Sequence, residues 1–270
     1  ALAGLAPHLP TELLGQALTA ATTIDQLYDR ARTLARLAPH LPAKQRAPIL
    51  DQALTAATTI KQPYARAEAL AVLAPQLPAE QRAPVLGQAL TAATTIKRQD
   101  DRARALVALA PHLPAELLGQ ALTAVTAIND PDDRARALTG LAPHLPAKLL
   151  GQALTAATTI TQPYAQTQAL AALAPHLPAK QRAPILDQAL TAATTIKRPD
   201  DRARALAALA PHLPTDQRAT LLSQALAAAS LSGRGAVIDV LPTVLSRDDL
   251  RELVGAALVP SLLRVMRWWP

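Results

Sequence analysis

The sequence predicts an all-α chain: an α-solenoid of seven two-helix repeats, 32 or 36 residues each, with a C-terminal helical cap. Three observations lead there. The phrase Leu-Ala-Pro-His-Leu-Pro recurs, once with Gln for His and once degenerate. Its first Leu falls at Leu5, Leu37, Leu73, Leu109, Leu141, Leu173, Leu209 and Leu241. A second phrase, Gln-Ala-Leu-Thr-Ala-Ala-Thr-Thr-Ile, starts at Gln16, Gln52, Gln88, Gln120, Gln152 and Gln188, with two changes in the Gln120 copy and a decayed copy at Gln224. Self-similarity at this period marks a stacked array, because one such unit cannot bury its apolar face alone. The third observation is composition. Half the residues are apolar, yet there is no Phe, no Cys and one Met, so packing falls to Ala, Leu, Ile and Val. Ala and Leu are the strongest apolar helix formers.

Residues 1–10 match the tail of a second helix whose first half is missing. They are expected to belong to a preceding repeat or to follow another domain. Residues 11–230 form the array. In each first helix an apolar stripe recurs at helical spacing, as in Leu14, Ala17, Leu18, Ala21 and Ile24. The second helix carries its own stripe, as in Ala103, Leu106, Leu109 and Ala110. Start signals precede it: Asp130-Pro131-Asp132-Asp133 offers a capping Asp, a first-position Pro and acids in the first turn, and Pro63, Pro163 and Pro199 hold the same place. The two prolines of Ala-Pro-His-Leu-Pro are expected to stop that helix and turn the chain.

The longer repeats differ by four residues, Gln-Arg-Ala-Pro, at 45–48, 81–84 and 181–184. Four residues are about one helical turn, so the insertion can extend or precede a helix without rotating its apolar face. Residues 37–61 and 173–197 are identical at an offset of 136, which points to duplication of a four-repeat block. Stacked at the usual helix spacing, the hairpins would form a rod or superhelix roughly 70 Å long. Residues 231–270 are read as the cap: Gly233 and Gly235 break the pattern, Ser246-Arg247-Asp248-Asp249 opens a helix, and Trp268 and Trp269 close the apolar stack or anchor a partner.

Charge and composition exclude several classes. The net charge of +7 is spread so evenly that none of the six segments 25–36, 61–72, 97–108, 129–140, 161–172 and 197–208 carries more than +2. Such diffuse charge favours solubility over a phosphate-tracking groove. Without cysteine there is no disulfide, thiolate metal site or thiol nucleophile. The longest apolar candidate for a membrane span, 253–263, is too short and contains Gly255, Pro260 and Ser261. The histidines His8, His40, His112, His144, His176 and His212 occupy one position in successive repeats. Ligands of one metal ion must converge, and groups spaced one per repeat do not. They read as turn residues, and no metal or cofactor is expected. Gly233-Arg234-Gly235 lacks the strand and third glycine of a dinucleotide loop and reads as a hinge. The Asp-Asp-Arg-Ala-Arg runs pair acid with arginine four residues on, which stabilises a helix without any ligand.

The repeats differ most just after the first helix. Asp25-Gln-Leu-Tyr28, Lys61-Gln-Pro-Tyr64, Lys97-Arg-Gln-Asp100, Asn129-Asp-Pro-Asp132, Thr161-Gln-Pro-Tyr164 and Lys197-Arg-Pro-Asp200 succeed one another there. Stacking would align them along one edge that carries every tyrosine. Tyr28, Lys61, Tyr64, Arg98, Asp132, Tyr164 and Arg198 are therefore the candidate partner-binding residues, against the alternative that exposed turns simply drift.

The two phrases, with Asp-Arg-Ala-Arg-Ala-Leu between them and Arg-Trp-Trp-Pro at the end, resemble the high-identity Ala/Leu/Pro-rich helical repeats of bacterial multidomain signalling and conflict proteins. Those repeats are tetratricopeptide-like or HEAT-like and follow effector modules such as a STAND-type NTPase, a caspase-like peptidase or a TIR domain. The resemblance implies a non-enzymatic, cytoplasmic protein-binding or sensor region of a larger bacterial protein, with no catalytic residue. A nucleic-acid-binding solenoid and a self-assembling structural module are the alternatives.

Overall fold

The computed structural model describes residues 10–245. Among them every regular element is helical and there is no strand. The helices are α1 (Thr11–Thr22), α2 (Leu27–Leu37), α3 (Ala43–Thr59), α4 (Pro63–Leu73), α5 (Ala79–Thr94), α6 (Gln99–Leu109) and α7 (Ala115–Thr126). They continue as α8 (Pro131–Leu141), α9 (Ala147–Thr158), α10 (Pro163–Leu173), α11 (Ala179–Thr194), α12 (Pro199–Leu209), α13 (Thr215–Ser232) and α14 (Arg234–Leu245). The expected alternation of first and second helices is present throughout. The Ser246–Asp249 helix start, Trp268 and Trp269 lie outside the described residues, as does His8.

The chain divides into two compact units, Ala1–Ile128 and Asn129–Pro270. In the first, the second helices α2, α4 and α6 lie side by side, and each packs against first helices on either flank. In the second, α8, α10, α12 and α14 do the same, with α9, α11 and α13 beside them. Each unit is thus a stack of two-helix repeats, in the manner of an α-solenoid.

Both sets of helices contribute to the core, and the second helices supply most of its largest fully buried side chains. Leu34, Leu37, Leu70, Leu73, Leu106, Leu109, Leu138 and Leu141 are fully buried, and each such side chain stabilises its unit by about 1.5–3 kcal/mol. Between them the helices meet through alanines, among them Ala53, Ala89, Ala121, Ala153 and Ala189, all at 0% exposure. The first-helix stripe is buried at Leu14, Ala17 and Ala21, but Leu18 and Ile24 are only half-buried. Leu54, Leu154 and Leu190 share the half-buried state of Leu18, whereas Leu90 and Leu122 are buried. The equivalents of Ile24, namely Ile60, Ile96, Ile128, Ile160 and Ile196, are buried, so the stripe falls short of its periodicity mainly at the second Leu.

The proline phrase ends the second helix and turns the chain, as expected. α2 stops at Leu37, and Ala38–His40, with Pro39 near its start, form a 3-10 turn. The chain then extends through Leu41, and the second proline, Pro42, precedes the next helix and accepts from the backbone N–H groups of Gln45 and Arg46. Each described histidine ends such a turn, and Gln76 does so in its copy. At the other boundary Asp130 caps α8, its Oδ1 accepting from the Asp133 N–H at 2.9 Å.

The Gln-Arg-Ala-Pro insertion extends the first helix, placing Pro48, Pro84 and Pro184 inside α3, α5 and α11. It also delivers an arginine that clamps the preceding 3-10 turn. Arg46 donates to the carbonyls of Ala38, Pro39 and Leu41, all at 3.3 Å. Arg182 repeats the set on Ala174, Pro175 and Leu177 at 3.2, 3.2 and 3.1 Å. Arg82 makes one bond, to Leu77 O at 2.8 Å, and Arg218 binds Ala210 O and Leu213 O at 3.1 and 3.0 Å. These charged donors satisfy carbonyls that a helix end leaves without partners. Gly233 breaks the chain between α13 and α14 with φ of 104°, a left-handed conformation that favours glycine. Gly235, expected to break the pattern too, lies inside α14.

Candidate functional site

The second helices carry the variable residues on one face, and in the second unit that face forms a groove. It runs across α8, α10 and α12 and has a volume of about 770 Å³. Asp132, Tyr164 and Arg198, three of the seven candidates, line it together. Sequence reasoning missed Arg136 and Gln168, which line it too. The signal was available: each lies four residues after Asp132 or Tyr164, one turn further along the same helix face. Thr139, Ala171, Ala172 and Ala208 line it as well.

The other four candidates belong to the first unit. Tyr28 is half-buried, with the Arg32 guanidinium 5.9 Å from its ring centroid and Arg32 Nη1 3.5 Å from its hydroxyl. Burial, and then the neighbouring Glu68 carboxylate, push the Tyr28 phenol up to about 12. Tyr64 is exposed, and so is Lys61. Arg98 is exposed but engaged: its Nε and Nη2 reach the Asp100 carboxylate at 3.2 and 2.9 Å, and Nε lies 3.3 Å from Asp101.

Arg198 is held in the same way by Asp200 and Asp201, at 3.1 and 3.4 Å. The four-residue ion pairs expected within the Asp-Asp-Arg-Ala-Arg runs form at Asp100–Arg104 and Asp200–Arg204, at 3.8 and 3.4 Å. They are joined by the arginine just before each helix, which a rule confined to the helix cannot anticipate. In α8 the expected pair does not form. Arg136 turns instead to Asp133 at 3.0 Å, leaving Asp132 exposed and with no ion pair among the described residues. Spacing does not separate the cases, since α6 and α12 have the same two aspartates; what differs is burial, the Asp133 side chain being 12% exposed against 25% and 22% for Asp101 and Asp201.

Neutral polar groups complete the groove. The side chains of Thr139, Gln162, Tyr164 and Gln168 line it and make no hydrogen bond among the described residues. His212 stands at one end. Burial first, then the positive charge of Arg182 and the adjacent His176, hold it below its ordinary value of 6.5. A lowered folded value means that the stability His212 contributes is present above that ordinary value and is lost as pH falls through the lowered one. His212→Gln, which supplies the residue that Gln76 contributes elsewhere, should therefore lose less stability than the parent between pH 8 and 5. Parallel thermal midpoints across that range would rule His212 out as the titrating group.

Two smaller crevices open elsewhere, of about 460 Å³ between α3 and α5 and about 410 Å³ beside α13. Thr58, Arg66, Leu70 and Gln88 in one correspond to Thr194, Arg202, Leu206 and Gln224 in the other, each pair 136 residues apart. The inferred block duplication thus reproduces a surface feature as well as a sequence. Among the described residues no three His, Cys, Asp or Glu side chains gather as a metal site would require, and no helix is long and apolar enough to cross a membrane. No family model matches the chain, and no curated protein matches it in sequence.

Proposed function

We propose that the array is a non-enzymatic protein-binding scaffold that meets its partner along the exposed face of the second helices. It would serve as the sensor or scaffold region of a larger cytoplasmic bacterial signalling or defence protein. The observation that carries this reading is the groove across α8, α10 and α12, where residues that vary between otherwise repeated helices come together around a tyrosine. A tyrosine offers a rigid amphipathic contact at low entropic cost. Contacts on successive repeats combine through effective concentration, so none need be strong by itself.

The ion pairs favour a protein partner over nucleic acid. Arg98, Arg104, Arg198 and Arg204 are all occupied by aspartates, so the cations that a phosphate backbone needs are neutralised in place. The test begins with a partner recovered from the source organism. Tyr64→Ala should weaken its binding modestly and leave stability nearly unchanged, because Tyr64 is exposed. Replacing Tyr28, Tyr64 and Tyr164 together should weaken it far more. A triple variant that binds as the parent does would place recognition on another surface.

A further inference from the structure

We propose that the groove across α8, α10 and α12 takes an extended polypeptide segment that places a lysine or arginine side chain against Asp132. This rests on the reading that the partner is a protein and specifies which part of it is held, and how.

The charge pattern selects the sign of the ligand. Arg136 and Arg198 are each committed to aspartates of the chain, and Asp201 is committed to Arg198 and Arg204. Asp132 is the groove carboxylate with no ion pair among the described residues, and it is exposed. An acidic ligand would have to displace an existing carboxylate from an arginine, whereas a basic one meets a carboxylate already free. Complementarity of this kind fixes specificity and register more than raw affinity.

The neutral groups select the ligand class. Gln162 and Gln168 each present both a carbonyl and an NH₂, and Tyr164 and Thr139 present hydroxyls, so every one can donate and accept. A peptide backbone offers the same pair of functions at each residue. Neighbouring second helices stand about 8–10 Å apart by ordinary helix packing. An extended chain advances about 3.3 Å per residue, so roughly three residues span the step from one helix to the next.

Small lining residues leave the backbone room to come close. At the tenth place of the second helix the groove is lined by Ala172 in α10 and Ala208 in α12, where α2 has Arg36 and α4 has Val72. A groove of about 770 Å³ lies within the size range of sites that hold a ligand of several residues.

The probe is a random dodecapeptide display library, selected on the full chain and on Asp132→Lys. The parent should enrich peptides carrying a lysine or arginine flanked by small residues, and the charge-reversed variant should enrich acidic ones. A synthetic copy of the leading peptide, followed by fluorescence anisotropy, should bind Asp132→Lys about tenfold more weakly. It should also bind Gln168→Leu several-fold more weakly, with unchanged thermal midpoints for both variants. Acidic peptides from the parent, a preference unmoved by Asp132→Lys, or no selected peptide at all would overturn the proposal. The wider scaffold reading has its own readout. If peptide selection fails but the natural partner still depends on Tyr28 and Tyr64, only the groove assignment falls. If the leading peptide binds but neither competes with the natural partner nor shares its dependence on the tyrosines, the assignment stands and the scaffold reading falls.

Discussion

Leu106→Ala in α6 is expected to lower stability by about 2–5 kcal/mol, because it removes a fully buried side chain and leaves a cavity with little to fill it. The surrounding packing is made of leucines and alanines. Alanines have no rotamers with which to close a gap, and the core has no Phe to swing into it. Leu54→Ala, at a half-buried position of α3, should cost clearly less. Urea unfolding of both variants gives the comparison, read from the midpoint with the slope unchanged. The opposite change makes the same point from the other side. Ala157 is at 0% exposure in α9, so Ala157→Phe should overpack the helix contact at about 1–3 kcal/mol. If Leu106→Ala cost no more than Leu54→Ala, depth of burial would not set what these leucines contribute.

Local signals were legible in the sequence because their causes are local. Asp130 caps the helix three residues ahead of Asp133, and Pro63, Pro131, Pro163 and Pro199 start their helices through a fixed φ. The stripe residues follow from helical periodicity alone. The proline phrase was legible as a stop and a turn, and the structure adds that its two prolines do two jobs. Pro39 tolerates a tighter turn, since a proline near the start of a 3-10 segment loses no hydrogen bond it would have made, and Pro42 then launches the next helix. The division after Ile128 was not foreseen, because it falls within a hairpin whose two helices look like all the others.

The candidate residues fared according to what surrounds them. Position along the repeat brought Asp132, Tyr164 and Arg198 to one groove, as alignment in a stack requires. Availability could not be read in the same way. Whether an arginine is free depends on which carboxylate lies nearest in space, and Arg98 and Arg198 are engaged while Asp132 is left over. Tyr28 shows the same dependence. Its sequence position equals that of Tyr164, yet Arg32 and Glu68 occupy its surroundings, where Tyr164 has Gln168 one turn along its own helix. The residue at six along the second helix, Arg32 in α2 and Gln168 in α10, therefore separates the surroundings of the two tyrosines.

Arg218→Ala is expected to cost about 1.5–3 kcal/mol, the range for hydrogen bonds made by a charged group, and Arg82→Ala much less. The two arginines hold the same place in the inserted turn, but their surroundings differ. Arg218 is 9% exposed and donates to two carbonyls, those of Ala210 and Leu213, in residues that are themselves buried. Removing it leaves those oxygens without a donor where water reaches poorly. Arg82 is exposed and makes a single bond, to Leu77 O, so although Leu77 is itself buried only one acceptor is lost and it lies nearer the solvent than those of Arg218. Arg218→Lys should recover only part of the loss, because a single ammonium cannot span two carbonyls as the guanidinium fork does. The fold itself should survive. The shorter repeats beginning at Ala115 and Ala147 have no arginine here, yet their 3-10 turns at Ala110–His112 and Ala142–His144 form as in the others. The variant should thus keep its circular dichroism spectrum and show a lower urea midpoint. Equal losses for Arg82→Ala and Arg218→Ala would mean that burial does not set the value of the clamp.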